Sequence, residues 1–361
     1  MGGASAVITG FAVAYGFFQL INGPISDRVG KYRMVFWVTA VSAAGNLACA
    51  LAPSLPFLVA ARFLTGATVG AIVPLAMAWI GDAVPYERRQ PVLARFLMGN
   101  MLGMALAVTA SGWLGERYGW RTMFFALTGL YVVAAALLWL ELKSNPATRH
   151  SPASQAQAGE PLAGAYLRML GLVRKPWARV ILVTVFFEGV FCYGSFAFAA
   201  YHAHRQLELS LSASGALLSA FAAGGLLYAA VSGRLVQRLG ERGLVLGGGV
   251  ILGAGLLGFA YAPNAAFAAA CLAVNGVGLW MLHNTLQVHA TQMAPEARGA
   301  AVALFAFFLF TGQSAGVWLA SFVIDSHGTR PLFVAAAAAL PVMALIFRRK
   351  LAGRRTPSSA V

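Results

Sequence analysis

Glu188 lies about ten residues into the apolar run "VTVFFEGVFCYGSFAF" and is the single carboxylate the sequence places near the middle of such a run. Far from water the charged form of a carboxyl group is penalised, which fits a group that takes up and releases protons. The plainer alternative is a protonated glutamic acid bonded to a neighbouring helix. Arg62 poses the same question, about six residues inside the run 56–81. A guanidinium there costs about 2.5–3.5 kcal/mol even on a lenient insertion scale, so it is expected to be paired or functional. Its alternative is a side chain that snorkels to the outer interface. A polar stripe follows in "WMLHNTLQVHATQ", where His283 and Gln287 are four residues apart and Asn284 and Gln287 three apart. Such spacing puts them on one helical face, either lining a cavity or bonding another helix. Asn275 and Trp280 lie nearby, and His289 is expected at the cytoplasmic interface. Tyr15 and Gln19 share a face of the first run, with Asn22 beyond, and Tyr193, Gln313 and Asn100 are further cavity candidates.

These residues must be positioned by helices that cross a membrane. The chain has 361 residues, 59% hydrophobic and only 10% charged, with a mean hydropathy of +0.73. A soluble domain would carry about a quarter charged residues. Runs of about 20 apolar residues, enough to span a bilayer, occur at 4–26, 34–53, 56–81, 91–114, 121–142, 179–201, 210–235, 243–262, 265–288, 300–324 and 332–351. Eleven spans are therefore expected, with Pro24, Pro53, Pro56 and Pro91 near their ends. The net charge of +15 comes from basic residues in the short gaps rather than in one patch, which favours anionic lipid headgroups over nucleic acid. If 27–33 is cytoplasmic, almost every Lys and Arg falls on that side, leaving Arg117, Arg121, Arg205 and Arg330 outside. Cys49, Cys192 and Cys271 all lie in apolar runs, so no disulfide framework is implied. No cleavable signal is expected, since nothing basic precedes Arg28. The Ser-, Ala- and Pro-rich stretch 142–178 reads as a cytoplasmic linker between an N-terminal part, 1–141, and a C-terminal part, 179–361.

The two parts repeat at an offset near 210. "GPISDRVGKYR" falls on "GRLVQRLGERG", keeping Gly23/Gly233, Arg28/Arg238 and Gly30/Gly240. Glu87 and Arg89 fall on Glu296 and Arg298, and "GWRTMF" falls on "GTRPLF". Internal repeats of this kind build many secondary transporters, with the substrate site between the halves. Ala4 aligns with Ser214, so the partner of 179–201 has no counterpart at the N-terminus, and eleven helices read as twelve less the first.

With these motifs the sequence resembles the major facilitator superfamily, and within it the drug:proton antiporter and sugar-efflux type of exporter. "GPISDRVGKYR" resembles the superfamily loop pattern G-x-x-x-D-R-x-G followed by two basic residues, with Gly23, Asp27, Arg28, Gly30 and Lys31 in place. Tyr32 departs from it, and Arg33 follows one residue later. "RFLTGATVGAIVP" resembles the fourth-helix motif that opens on an intramembrane arginine. The fifth-helix pattern ending in Gly-Pro-x-x-Gly-Gly is degenerate here, its aligned residues being Ala107, Val108, Ser111 and Gly112. The resemblance implies an all-α, two-half helical bundle in the bacterial inner membrane. It implies a cytoplasmic gate in which Asp27 faces a helix N-terminus near Arg298, and Arg28 pairs with Asp82 or Glu87. Gly23, Gly30, Lys31 and Arg238 belong to the same gate.

No enzyme signature is present: no H-E-x-x-H, P-loop, metal-ligand spacing or serine motif with a base. No cofactor or metal is expected, and the energy source would be an ion gradient rather than ATP. The expectation is a monomeric, multi-pass secondary transporter that exports a small organic compound, drug-like or sugar-like, against protons. Glu188 and Arg62 would couple the proton, and Tyr15, Gln19, Tyr193, His283, Asn284, Gln287 and Gln313 would line the cavity. Uptake by symport or facilitated diffusion is an alternative. A second, of another class, is a truncated membrane protein that does not transport.

Overall fold

A computed structural model describes residues 2–84, 86–148, 162–294 and 298–353. Five long helices come first: α1 (Gly2–Val29), α2 (Lys31–Ala50), α3 (Leu55–Ala83), α4 (Tyr86–Tyr118) and α5 (Trp120–Ser144). A short helix α6 (Leu162–Leu172) precedes α7 (Pro176–Gln206), which is broken by turns of other pitch. Then come α8 (Leu211–Ala260), α9 (Ala265–Gln292), α10 (Arg298–His327) and α11 (Arg330–Gly353). Among the described residues nine helices are long and apolar enough to cross a membrane. One of the nine, α8, is 50 residues long and is two helices meeting at Gly240, whose φ of 60° and ψ of 176° are not helical. The more polar α4 is not among the nine but is 33 residues long. The eleven expected spans thus map onto eleven long segments in order, although fewer pass on apolarity alone.

The repeat is written into the backbone. Gly30 and Gly240 both take positive φ, 96° and 60°, and so do Gly119 and Gly328, 85° and 77°. Each pair turns the chain between consecutive helices where a side chain would be strained. The stretch 22–33 is therefore not a loop, because helix runs to Val29 and resumes at Lys31 with Gly30 alone between. The same economy carries helix through positions 24 and 91, where prolines were expected to mark ends. Ser54 caps α3 by accepting the Phe57 N–H, and Asn264 caps α9 by accepting the Phe267 N–H, in matching places of the repeat. Close crossings repeat too. A Cβ on Gly66 would strike the Phe11 carbonyl, and one on Gly276 the Phe221 carbonyl.

Helix α1 packs on α3, α2 on α3 and α5, and α8 on α9 and α11, while α7 packs chiefly on α10. The two sets of helices meet along α1 with α10 and α4 with α8. Large apolar side chains such as Trp37, Leu106, Leu137 and Ile346 point outward, as lipid contact requires. The stretch read as a linker is not wholly irregular. Within it α6 buries Met169 and Leu172, three residues apart on one face, in the core formed by α7–α11.

Candidate functional site

Glu188 ends the regular first part of α7 and is fully buried. Its Oε2 lies 3.0 Å from Nδ1 of His283 on α9, which is itself buried. The rings of Phe305, Tyr193 and Trp280 surround that imidazole at 5.5, 6.1 and 6.1 Å. The other carboxyl oxygen, Oε1, has no hydrogen-bond partner among the described residues. A carboxyl and an imidazole at this distance form one hydrogen-bonded unit that joins α7 to α9. Removing one partner of such a buried pair leaves the other polar group unsatisfied, which costs about 1–3 kcal/mol.

The local sequence explains how a polar group is held there. After Glu188 the five residues Gly189–Tyr193 widen into a π-turn, a feature that clusters at functional sites. Gly189 and Gly194 on α7 face Gly312 and Gly316 on α10 so closely that a Cβ on any of the four would meet opposing backbone. Backbone contact on both sides of Glu188 fixes its height against α10. Gln313, next to that contact, leaves its Oε1 buried and without a partner among the described residues. From the other set of helices, Tyr15 of α1 lays its ring 4.1 Å from that of Phe310, and Gln19, one turn on, is also buried.

The remaining candidates are dispersed. Arg62 does not join Glu188. Its guanidinium stands over the rings of Phe11 at 4.0 Å and Phe124 at 5.8 Å, within α1–α5, as a cation–π arrangement. The polar stripe of α9 splits: His283 faces Glu188, Asn284 is half-buried beside Tyr228 of α8, and Gln287 is exposed. Asn100 is exposed as well. His289 is buried rather than interfacial, against Trp177 and Phe347, with Nε2 3.3 Å from Glu241.

At the end of the bundle that the charge distribution assigns to the cytoplasm, Asp82 accepts from Lys31 Nζ at 2.6 Å, joining α2 to α3. The expected pairing of Arg28 with Asp82 or Glu87, and that of Asp27 near Arg298, falls on side chains outside the described residues. Gly23 sits inside α1, where among the described residues nothing lies within 4 Å of a Cβ, and Arg238 is exposed just before Gly240.

One contact between the two sets was not anticipated. At the opposite end of the bundle, the outer one by the same charge distribution, the Glu116 carboxylate of α4 accepts the Ser212 backbone N–H at 2.8 Å and also the Ser212 hydroxyl, in the first turn of α8. One turn below, a Cβ on Gly112 would lie 2.7 Å from the Leu211 carbonyl, and one on Gly215 would lie 2.9 Å from the Val108 carbonyl. The sequence reading passed over Glu116, whose local companion is the small residue Gly112 four positions before it.

Known proteins share this architecture. The family model described as Major Facilitator Superfamily matches residues 2–308 and, again, 195–361. The chain is 23% identical over 324 residues to the uncharacterized MFS-type transporter YceJ of Bacillus subtilis, covering 89% of this chain and 80% of that protein. It is 23% identical over 381 residues to the multidrug resistance protein fnx1 of Schizosaccharomyces pombe, covering 88% and 71%. A crystal structure of the peptide transporter POT superposes with a TM-score of 0.77 at 17% identity, over 97% of this chain and 86% of that one.

Proposed function

The chain belongs to the Major Facilitator Superfamily, and from that premise we propose that this membrane transporter is a proton-coupled exporter of a small organic compound, working by alternating access. The observation that carries the reading is the buried Glu188–His283 pair at 3.0 Å. It is a proton-binding unit inside the helix bundle, bordered by polar groups from both sets of helices. Among the described residues Oε1 of Glu188 and Oε1 of Gln313 have no partner, and a proton or a hydrogen-bonding solute would supply the donor they lack. Tyr15 brings the α1–α5 set to the edge of the same region. In this scheme a proton enters from outside, neutralises the pair and permits the two sets to rock. Release of the proton to the cytoplasm resets it. Lys31 and Asp82 brace the cytoplasmic end, and Arg62 is an electrostatic and helix-positioning element away from the proton pair.

The test is ethidium flux in inverted vesicles under an imposed pH gradient, comparing wild type with Glu188→Gln. The amide keeps the shape of the side chain and one hydrogen bond while removing the titrating group. Gradient-driven accumulation should vanish, and ethidium exchange without a gradient should persist. Coupled accumulation equal to wild type would sink the role of Glu188. The degenerate fifth-helix pattern around Ala107 and Ser111 favours a second reading, uptake by symport. The same vesicles separate the two, since symport moves solute in the direction of the proton and antiport against it.

A further inference from the structure

The geometry points to Glu116 as a latch on the outer face, holding α4 against α8 when that face is closed and releasing α8 when it opens. The first turn of a helix leaves N–H groups without internal partners. In α8 the Ser210 hydroxyl takes the Ala213 N–H at 3.1 Å, and a carboxylate from the other set of helices takes the Ser212 N–H. A negative charge at a helix N-terminus is also favoured by the helix dipole. The cap is thus built from two parts that belong to different rocking bodies, and it can exist only while they touch. Gly112 and Gly215 make that touch possible by letting the two backbones meet immediately beneath it. Separating the outer ends breaks both bonds to Glu116 and leaves a helix end to be solvated instead.

The carboxyl also responds to acid. The two bonds from Ser212 hold it below the usual carboxylate range, with smaller help from Ser210 and from His204. His204 lies at the end of α7 and donates its own Nδ1–H to the Leu209 carbonyl at 2.6 Å. A depressed carboxyl contributes closure at neutral pH and loses it as pH falls through its lowered value, so acid outside should loosen the latch.

The motion this latch serves is the one proposed above, but it does not depend on Glu188. Spin labels on cysteines at Tyr118 and Tyr261, both exposed at the outer ends of the two sets, report their separation in lipid nanodiscs without solute. Glu116→Ala should raise the ratio of long to short separations about fivefold, the equivalent of a typical helix-dipole interaction. Glu116→Gln, which keeps an acceptor but no charge, should fall between that variant and wild type, and Ser212→Ala should change least because the backbone bond survives. Acid should shift the wild type toward the Ala pattern while leaving Glu116→Gln unmoved. Should the Ala variant fail to fold, the Gln variant and its indifference to acid carry the same test. A distribution like wild type in folded Glu116→Ala or Glu116→Gln protein would overturn the latch and leave the alternating motion standing. One fixed separation in every sample would overturn both.

Discussion

Gly103 on α4 and Gly312 on α10 stand in matching places, related by the same offset that pairs Gly119 with Gly328. Around Gly312 the backbone of α7 lies so close that a Cβ would meet the Phe186 carbonyl, whereas among the described residues a Cβ on Gly103 would meet nothing within 4 Å. On the first helix Leu102 and Leu106 are exposed by 55% and 69%, and on the second the neighbouring surface is buried under α7. One repeat thus presents a small-residue groove, and in the other the same groove is filled by the helix that carries Glu188. The comparison separates two roles that sequence alone merges. Small residues on a membrane helix permit close packing, but only the occupied groove converts that permission into a fixed depth for a polar group.

Leucine at each position should break the symmetry of the pair most sharply. Gly312→Leu must push α7 off α10, and overpacking a close-packed site costs about 1–3 kcal/mol, more when backbone has to move. A large fall in the melting temperature in detergent is expected, with proton-linked transport lost at the same time. Gly103→Leu should melt within about 0.5 kcal/mol of wild type, as an open surface position does. Equal losses in both would mean that the groove on α4 is covered as tightly as that on α10.

A smaller effect is expected where the repeats carry different polar groups in one niche. Thr65 faces Gly45 in the first, and Asn275 faces Gly255 in the second. Thr65 donates to the Arg62 carbonyl at 2.9 Å, while Asn275 has neither its amide nitrogen nor its oxygen partnered among the described residues. Relieving a buried unsatisfied amide is worth about 1–3 kcal/mol. Asn275→Thr, which installs the residue of the other repeat, should therefore raise the melting temperature with no loss of transport. A stable but inactive variant would instead place Asn275 among the groups that bind solute.

These positions also show what could be read in the chain before its structure. Gly30 with Gly240 and Gly119 with Gly328 were legible because a turn of positive φ demands glycine at one fixed position, and the repeat displays it twice. Glu188 was legible because a lone carboxylate in an apolar run has few bland explanations. Its partner was legible only as a residue type. The stripe of His283, Asn284 and Gln287 has helical spacing, but the rotation of α9 against α7 and α8 decides which member faces inward, and that rotation is set by packing distant in sequence. Packing likewise buries His289 and turns Gln287 outward. Glu116 could not be found because its partner is 96 residues away, and a small residue four positions before it does not by itself mark a carboxylate as a cap.

The smallest expected effect concerns the cytoplasmic pins. Lys31 at the start of α2 meets Asp82 at the end of α3 at 2.6 Å. In the matching place at the start of the second limb of α8 stands Glu241, and it meets His289 in the last turns of α9 at 3.3 Å. The acidic partner stands on the later helix of the pair in the first repeat and on the earlier one in the second, while the pair of helices joined is the same, so the join is what both halves hold in common. A partly exposed pair such as Lys31–Asp82 contributes about 0.2–1 kcal/mol, and a double-mutant cycle isolates that coupling. Lys31→Glu and Asp82→Lys should each destabilise modestly by leaving like charges facing, and the double variant, with the polarity of the second repeat, should return to near wild type. If the double variant remains as weak as the worse single one, the sign at this end matters in its own right, and Lys31 and Asp82 answer to the rest of the cytoplasmic charge rather than to each other.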